Sequence, residues 1–116
     1  MKKTIILSSL LLASSIFADG ISFSDIQKVK SSDSLNIRAK ADYKSKKISS
    51  IPANQTCIKN YGCGKDIAFE AILQMQEAEA EVFYTQAKKG WCYVEYKGVS
   101  GWVNKVYLQE SKTQCK

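Results

Sequence analysis

Alternating apolar and polar positions predict several short β-strands in this chain. Residues 35–37 read Leu-Asn-Ile, which is the spacing of a strand with one face buried. A further strand is expected to end near Ile51, and another to run over residues 55–61. Pro52 between them favours a turn, because its φ is fixed and it has no N–H to donate to a ladder. Short strands separated by turn signals indicate a mainly β fold, either a small barrel or a sandwich.

The stretch "GWCYVEYKGVSGWVN", residues 90–104, predicts a β-hairpin that contains both tryptophans. A strand from Trp91 to Tyr96 is followed by a turn at residues 97–101, and a second short strand begins at Trp102. Alternation divides the first strand into two faces. One face carries Cys92, Val94 and Tyr96, and the other carries Trp91, Tyr93 and Glu95. The face with Val94 is the better core candidate, and Trp91 then lies at a rim of the fold.

Residues 64–87 differ in composition from the strands around them. From Lys65 onward this segment has no Gly or Pro and is rich in Ala, Glu, Gln, Leu and Met, which favour helix. We expect an amphipathic helix over residues 66–82, followed by a change to strand at residues 82–85. The apolar stripe of this helix either docks on its own domain, as most helical stripes do, or binds a partner protein.

The N-terminal stretch "MKKTIILSSLLLASSIFA", residues 1–18, has the pattern of a secretory signal peptide. Two lysines precede a short apolar run, and Ala18 stands at the expected cleavage point. The apolar run is short for a membrane-spanning helix, and no second candidate follows it. We therefore expect a periplasmic or secreted protein, with a short leader at residues 19–26 and no transmembrane segment after cleavage.

Cysteine and histidine usage narrows the classes of function. The chain has four cysteines and no histidine. An even cysteine count in an exported chain favours disulfides over metal or thiol chemistry, and four cysteines allow three pairings. The lack of histidine removes the commonest general base and every His-containing zinc site. The sequence also carries no hydrolase or phosphate-loop motif, so we expect no enzyme, no metal and no cofactor.

The charge balance bears on the partners. The formal net charge of +6 favours anionic partners such as cell-envelope glycans, lipid headgroups or acidic proteins, although at this magnitude ordinary solubility is the simpler explanation. Arg38 is the only arginine, and an exported chain without an arginine cluster disfavours nucleic acid. We expect the protein to be a monomer.

Three motifs in order resemble the bacterial SH3-like (SH3b) domain family. These are "SLNIRAKADYKSKKISSIPAN", "GWCYVEYKGVSGWV" and "NKVYL", and the similarity covers about residues 27–62 and 88–109. The resemblance implies a small SH3-like barrel of five to six short strands over residues 27–110, with a helix inserted between the second and third strands (residues 64–87) and a tail at 111–116. The family often has Ser-Gly-Pro where this chain has "AKA" after the arginine.

The resemblance also implies a disulfide pairing. Some exported members carry Gly-Cys after the second strand and Trp-Cys in the third, as this chain does at Cys63 and Cys92. That pairing leaves Cys57 with Cys115. A bond between Cys57 and Cys92 across neighbouring strands is the main alternative.

For function, the resemblance implies a non-catalytic module of the cell envelope that binds peptidoglycan or its peptides. Aromatic side chains are the candidate ligand-binding residues, because their rings offer flat apolar contact with a polar edge. The candidates are Tyr43, Trp91, Tyr93 and Trp102. Small barrels also use such rings to close their core. The alternative function is a protein–protein interaction adaptor of the periplasm that acts through the inserted helix.

Overall fold

A computed structural model describes residues 22–65, 72–73 and 75–115 of the chain. The expected signal peptide and the first part of the expected helix, residues 66–71, lie outside the described residues. Within the described residues, no helix is long and apolar enough to cross a membrane.

The fold is mainly β, as the sequence predicts. Within the described part of the chain, seven antiparallel strands form one sheet in the order β3-β2-β6-β5-β4-β1-β7. The strands are β1 (Ser22–Ile26), β2 (Ser34–Arg38), β3 (Lys47–Pro52), β4 (Ile58–Cys63), β5 (Trp91–Tyr96), β6 (Val99–Asn104) and β7 (Leu108–Glu110). The strand number exceeds the expected five to six, and the two edge strands, β3 and β7, do not pair with each other to close the sheet.

The segment that the sequence suggests is a leader contains a strand of the sheet. β1 pairs with β4 on one side and with β7 on the other. The register places Ser22 opposite Asn60 and Ile26 opposite Leu108. Both partner strands are distant in sequence from β1, so no local turn signal predicts this strand. The tail is tied to the same strand, because the Ser111 amide donates to the Phe23 carbonyl at 3.0 Å.

In the described residues, the α-helix α1 (Glu77–Gln86) lies between β4 and β5, and residues 72–73 are also helical. Residues 75–76 are not helical, so the expected continuous helix over residues 66–82 is interrupted there. A 3₁₀ helix at Lys105–Tyr107 joins β6 to β7. The Gln76 amide donates to Glu79 Oε1 at 3.1 Å and so satisfies one free donor at the start of α1. The expected change to strand at residues 82–85 is wrong, because α1 continues through them to Gln86. Burial of Phe83 outweighs the strand preference of its neighbours.

Two hydrophobic clusters follow from the alternation along β5. Cys92 and Val94 belong to a cluster of mostly aliphatic residues, together with Ile37 and Val103. Trp91 and Tyr93 belong to the second cluster, which is mostly aromatic. Its other members are Ala41, Tyr61, Met75, Phe83 and Trp102. The helix therefore covers an aromatic layer, and both faces of β5 are buried.

The β5–β6 hairpin turns more tightly than the sequence suggests. Lys97 and Gly98 have φ of 50° and 82°, and β6 begins at Val99. Gly101 is buried inside β6 rather than in the turn. A Cβ at Gly101 would lie 2.5 Å from Ile37 Cγ2 and 2.8 Å from the Arg38 carbonyl oxygen, so glycine is needed where β2 and β6 approach each other.

Two disulfides staple the sheet. Cys63 and Cys92 are register partners on β4 and β5, and their bond joins the two ends of the segment that contains α1. The Cys57–Cys115 bond holds the tail against the start of β4. This is the pairing that the family resemblance implies. By loop entropy the two bonds contribute roughly 3.5 and 4 kcal/mol to stability, since they close separations of 29 and 58 residues.

Candidate functional site

The structure contains an open groove with a volume of about 460 Å³. Four parts of the chain line it: the segment after β1, strand β2 with the loop that follows, the first residue of β5, and the junction of β6 with the 3₁₀ helix. The side chains that give it its character are Lys28, Lys30, Arg38, Tyr43, Trp91 and Tyr107. The groove is therefore both basic and aromatic.

The groove has an excess of positive charge. Lys28, Lys30 and Arg38 line it, and among the described lining residues the one carboxylate is that of Asp33. Arg38 Nη1 donates to the Ser45 carbonyl at 2.9 Å, which leaves the other N–H groups of the guanidinium for further partners. A groove with this balance favours an anionic ligand.

The loop between β2 and β3 carries Tyr43 in a defined conformation. The Ala39 amide donates to the Lys46 carbonyl at 2.8 Å, which closes the base of the loop. Asp42 Oδ1 accepts from the Lys44 amide at 2.9 Å, directly around the tyrosine. The Tyr43 side chain is 69% exposed. Because the backbone around this ring is already hydrogen bonded, binding a ligand there costs less ordering entropy.

Trp91 forms the apolar part of the groove wall. Its side chain is 9% exposed and packs in the aromatic cluster, so only part of the ring is available to a ligand. Tyr107, in the 3₁₀ helix, also lines the groove and is partly buried. The Asn104 side chain accepts from the Val106 amide at 3.0 Å and fixes the start of that helix. The aromatic wall is thus held by regular structure on both sides.

The structure brings two of the four candidate aromatics to the groove and buries the other two elsewhere. Tyr93 and Trp102 lie under α1 with ring centroids 5.1 Å apart. Phe83 of the helix packs 6.2 Å from Tyr93 and 5.5 Å from Trp102. Trp102 is completely buried. These two rings serve as packing surface for the helix, and neither lines the groove.

Burial also acts on the ionisation of the aromatic layer. Desolvation, with a smaller contribution from the Glu79 carboxylate, raises the pKa of Tyr93 to about 12. Desolvation and a hydrogen bond to Glu95 raise the pKa of Tyr61 still further. That hydrogen bond runs from the Tyr61 hydroxyl to Glu95 Oε1 at 2.9 Å. Both phenols are therefore neutral at physiological pH and act as packing groups.

Sequence reasoning missed the two lysines of the groove, Lys28 and Lys30. They flank Val29, which packs on the aliphatic cluster, so the two lysines alternate with an anchoring residue. Lys28 has a φ of 60°, which turns the chain after β1. The alternation of "KVK" is the sequence signal that both lysines share one side of the chain. It does not predict that they lie near β2, because that depends on where β1 pairs in the sheet.

The Asp25 side chain ties β1 to Cys57 and to the tail segment that precedes Cys115. Its Oδ1 accepts from the Cys57 amide at 3.0 Å, and its Oδ2 accepts from the Lys112 amide at 3.1 Å. These hydrogen bonds, first that from Cys57, hold the pKa of Asp25 below its ordinary value. Asp25 is a structural carboxylate, which explains a buried charge that does not line the groove.

The chain has no significant match to any protein-family model or to any curated protein.

Proposed function

We propose that this protein is a non-catalytic binding module of the cell envelope, with an SH3-like architecture, and that its groove binds the peptides of peptidoglycan. The observation that carries the proposal is the combination of an exposed tyrosine, a tryptophan edge and three cations in one groove. Peptidoglycan peptides are short, carry free carboxylates and expose small apolar side chains. Each of these features has a counterpart in the groove.

Arginine geometry supports a carboxylate as the anionic group of the ligand. The guanidinium is a planar fork that matches a carboxylate through two parallel hydrogen bonds. Arg38 is the single arginine of the chain and lines this groove. Lys28 and Lys30 supply additional positive charge beside it. Rings such as those of Tyr43 and Trp91 provide apolar contact at low entropic cost.

Two disulfides and the sequence of residues 1–18 support an extracytoplasmic location. Disulfides persist in oxidising compartments such as the periplasm and are rare in reducing ones. The described residues contain both bonds and no free cysteine. A small stapled domain with a preformed groove fits a module that works outside the cytoplasm as a monomer.

The adaptor function remains the second candidate, but it has less support. It requires that the segment with α1 offers its apolar side chains to a partner protein. Phe83 is instead buried against Tyr93 and Trp102 of the same chain. Tyr84 and Leu73 are exposed on this segment and are what an adaptor surface would use.

Sedimentation with purified peptidoglycan tests the proposal. We expect the protein to cosediment at low salt, and Tyr43→Ala to lower the bound fraction severalfold because it removes an exposed ring from the groove. Tyr84→Ala is the matched control, since Tyr84 is similarly exposed, at 63%, but lies on α1. Retention of the wild-type protein in the supernatant contradicts the proposal, and so does an equal loss of binding in both variants.

A further inference from the structure

A second basic pocket, distinct from the groove, lies beside the Cys63–Cys92 bond. It has a volume of about 400 Å³ and is lined by Cys63, Gly64, Lys65, Lys89, Gly90 and Lys105. No carboxylate of a described residue lines it. We call these three lysines the lysine triad. Like charges that line the same pocket repel one another, so this composition favours an anionic partner.

Three separate parts of the chain bring the lysine triad together. Lys65 follows β4, Lys89 precedes β5, and Lys105 begins the 3₁₀ helix after β6. The Lys105 amide donates to the Gly90 carbonyl at 2.9 Å, which joins the last two segments. The positions of the three backbones are therefore set by the fold, although the three side chains are exposed.

The first two segments are held together just as firmly. The Gly64 amide donates to the Trp91 carbonyl at 2.8 Å, and the Cys63–Cys92 bond crosses the same two strands. A Cβ built on Gly64 would lie 3.8 Å from Lys89 Cα, so the two backbones are in close contact. Because the backbone is already fixed, only the lysine side chains must be ordered when an ion binds.

The glycines keep the pocket open. Gly64 and Gly90 have φ of 62° and 89°, a region that other residues rarely occupy. A Cβ on Gly90 would have no atom within 4 Å, so the backbone there faces open space. A ligand can consequently approach the main chain between Lys89 and Lys105 without meeting a side chain.

The chemistry of the triad favours a phosphate group over a carboxylate. Lysine presents a compact ammonium that binds phosphate as a point charge, whereas the planar fork of arginine binds carboxylate and phosphate alike. A phosphate monoester has three free oxygens to share among three ammonium groups and carries up to two negative charges at neutral pH, whereas a carboxylate has two oxygens and one charge. The phosphodiester of a phospholipid headgroup has two free oxygens and one charge. The pocket contains three lysines and no arginine, while Arg38 lies in the groove.

We infer that the lysine triad, Lys65, Lys89 and Lys105, is a binding site for a phosphate group, either a membrane phospholipid headgroup or a soluble phosphate ester. The site is independent of the proposed binding of peptides in the groove. It nevertheless adjoins the groove, because Gly90 and Lys105 of the pocket are chain neighbours of Trp91 and Asn104 of the groove.

The primary test is a titration of the oxidised, isotope-labelled protein with inorganic phosphate at constant ionic strength, followed by amide chemical shifts. We expect saturable shifts at residues 64, 65, 89, 90 and 105. The triple variant Lys65→Gln, Lys89→Gln, Lys105→Gln should bind phosphate at least about tenfold more weakly, because it loses three direct charge contacts. All three positions are exposed, so the fold is retained, which circular dichroism checks.

The matched control removes three other exposed lysines, with Lys40→Gln, Lys44→Gln and Lys46→Gln in the loop between β2 and β3. This variant has the same net charge as the triad variant and should bind phosphate like the wild type. Equal weakening in both variants would mean that net charge alone attracts the ion, and it would overturn the inference. Absence of saturable shifts at the triad would do the same.

Two further arms separate the sources of the phosphate group. In one, the protein is sedimented with vesicles of phosphatidylglycerol and phosphatidylcholine, and with vesicles of phosphatidylcholine alone. In the other, it is titrated with glycerol phosphate. Triad-dependent capture by the phosphatidylglycerol vesicles assigns the site to a lipid headgroup, and triad-dependent binding of glycerol phosphate alone assigns it to a soluble ester.

The same titration on Tyr43→Ala separates this inference from the proposed function. The groove variant should bind phosphate like the wild type. A protein that binds phosphate at the triad but not peptidoglycan supports the inference while the proposed function fails. A protein that binds peptidoglycan but shows no shifts at the triad supports the proposed function, while the inference of a phosphate site fails.

Discussion

Replacement of Phe83 by alanine tests whether α1 belongs to the packed domain or is held available for a partner. Phe83 is 2% exposed and contacts both Tyr93 and Trp102. Burial of a phenyl ring removes about 150 Å² from water, worth about 4 kcal/mol at about 25 cal/mol per Å². Alanine keeps part of that area and the helix can shift to fill the space. We therefore expect Phe83→Ala to lower the free energy of unfolding by about 3 kcal/mol.

Urea unfolding followed by tryptophan fluorescence measures this change. The chain has two tryptophans, and both belong to the aromatic cluster that Phe83 covers. Loss of the ring should also expose Trp102 and shift the emission of the folded state to longer wavelength. Tyr84→Ala removes the neighbouring ring, which is exposed, and should change the free energy of unfolding by under about 0.5 kcal/mol.

A small effect of Phe83→Ala would refute the packing argument. If its free energy of unfolding lies within about 1 kcal/mol of that of Tyr84→Ala, α1 does not contribute to the core. That result would favour the adaptor function, because the apolar face of the helix would then be free for another protein. A large effect with unchanged binding to peptidoglycan would separate the helix from the groove.

Two further predictions concern the core tyrosines and the tail. The pKa of Tyr93 is raised from its ordinary value of 10 to about 12. The stabilising contribution of Tyr93 is therefore complete below pH 10 and is lost as the pH rises towards 12. Alkaline unfolding, monitored by tyrosinate absorbance, should begin in this interval, and Tyr93→Phe should delay it. The pKa of Asp25 is lowered, so its contribution is present above the ordinary value of 3.8 and is lost as the pH falls through its folded pKa. Asp25→Asn should remove that acid dependence of unfolding and speed reduction of the Cys57–Cys115 bond by dithiothreitol; an unchanged reduction rate would show that Asp25 does not hold the tail.

Local periodicity was sufficient where strand partners are close in sequence. The alternation of β5 predicted which side chains share a face, and the two hydrophobic clusters divide along that line. This works because the pleat has a period of two whatever the rest of the fold does. The hairpin with β6 is equally local, and only its expected turn at residues 97–101 was too long, because β6 already begins at Val99. Glycine is needed at position 101 because β2 approaches closely there, and β2 lies outside the hairpin sequence.

Long-range pairing was the part that sequence reasoning could not supply. β1 consists of only five residues, and its partners on β4 and β7 lie far along the chain. The acceptor role of Asp25 likewise depends on amides 32 and 87 residues away. A short segment with few apolar residues resembles a linker until its partners are known, since neighbours decide the burial of a strand as much as its own composition does.

The same reasoning explains why the candidate aromatics divided between groove and core. Trp91 and Tyr93 share a face of β5, and nothing in their own sequence distinguishes them. The difference comes from α1, which covers Tyr93 through Phe83, whereas the groove at the beginning of β5 reaches Trp91. An inserted segment thus decides which aromatic rings a ligand can reach. Its closing bond, Cys63–Cys92, lies beside the lysine triad. Removal of that disulfide should therefore disturb both surfaces, and the triad more than the groove, because Lys65 and Lys89 flank the bond directly.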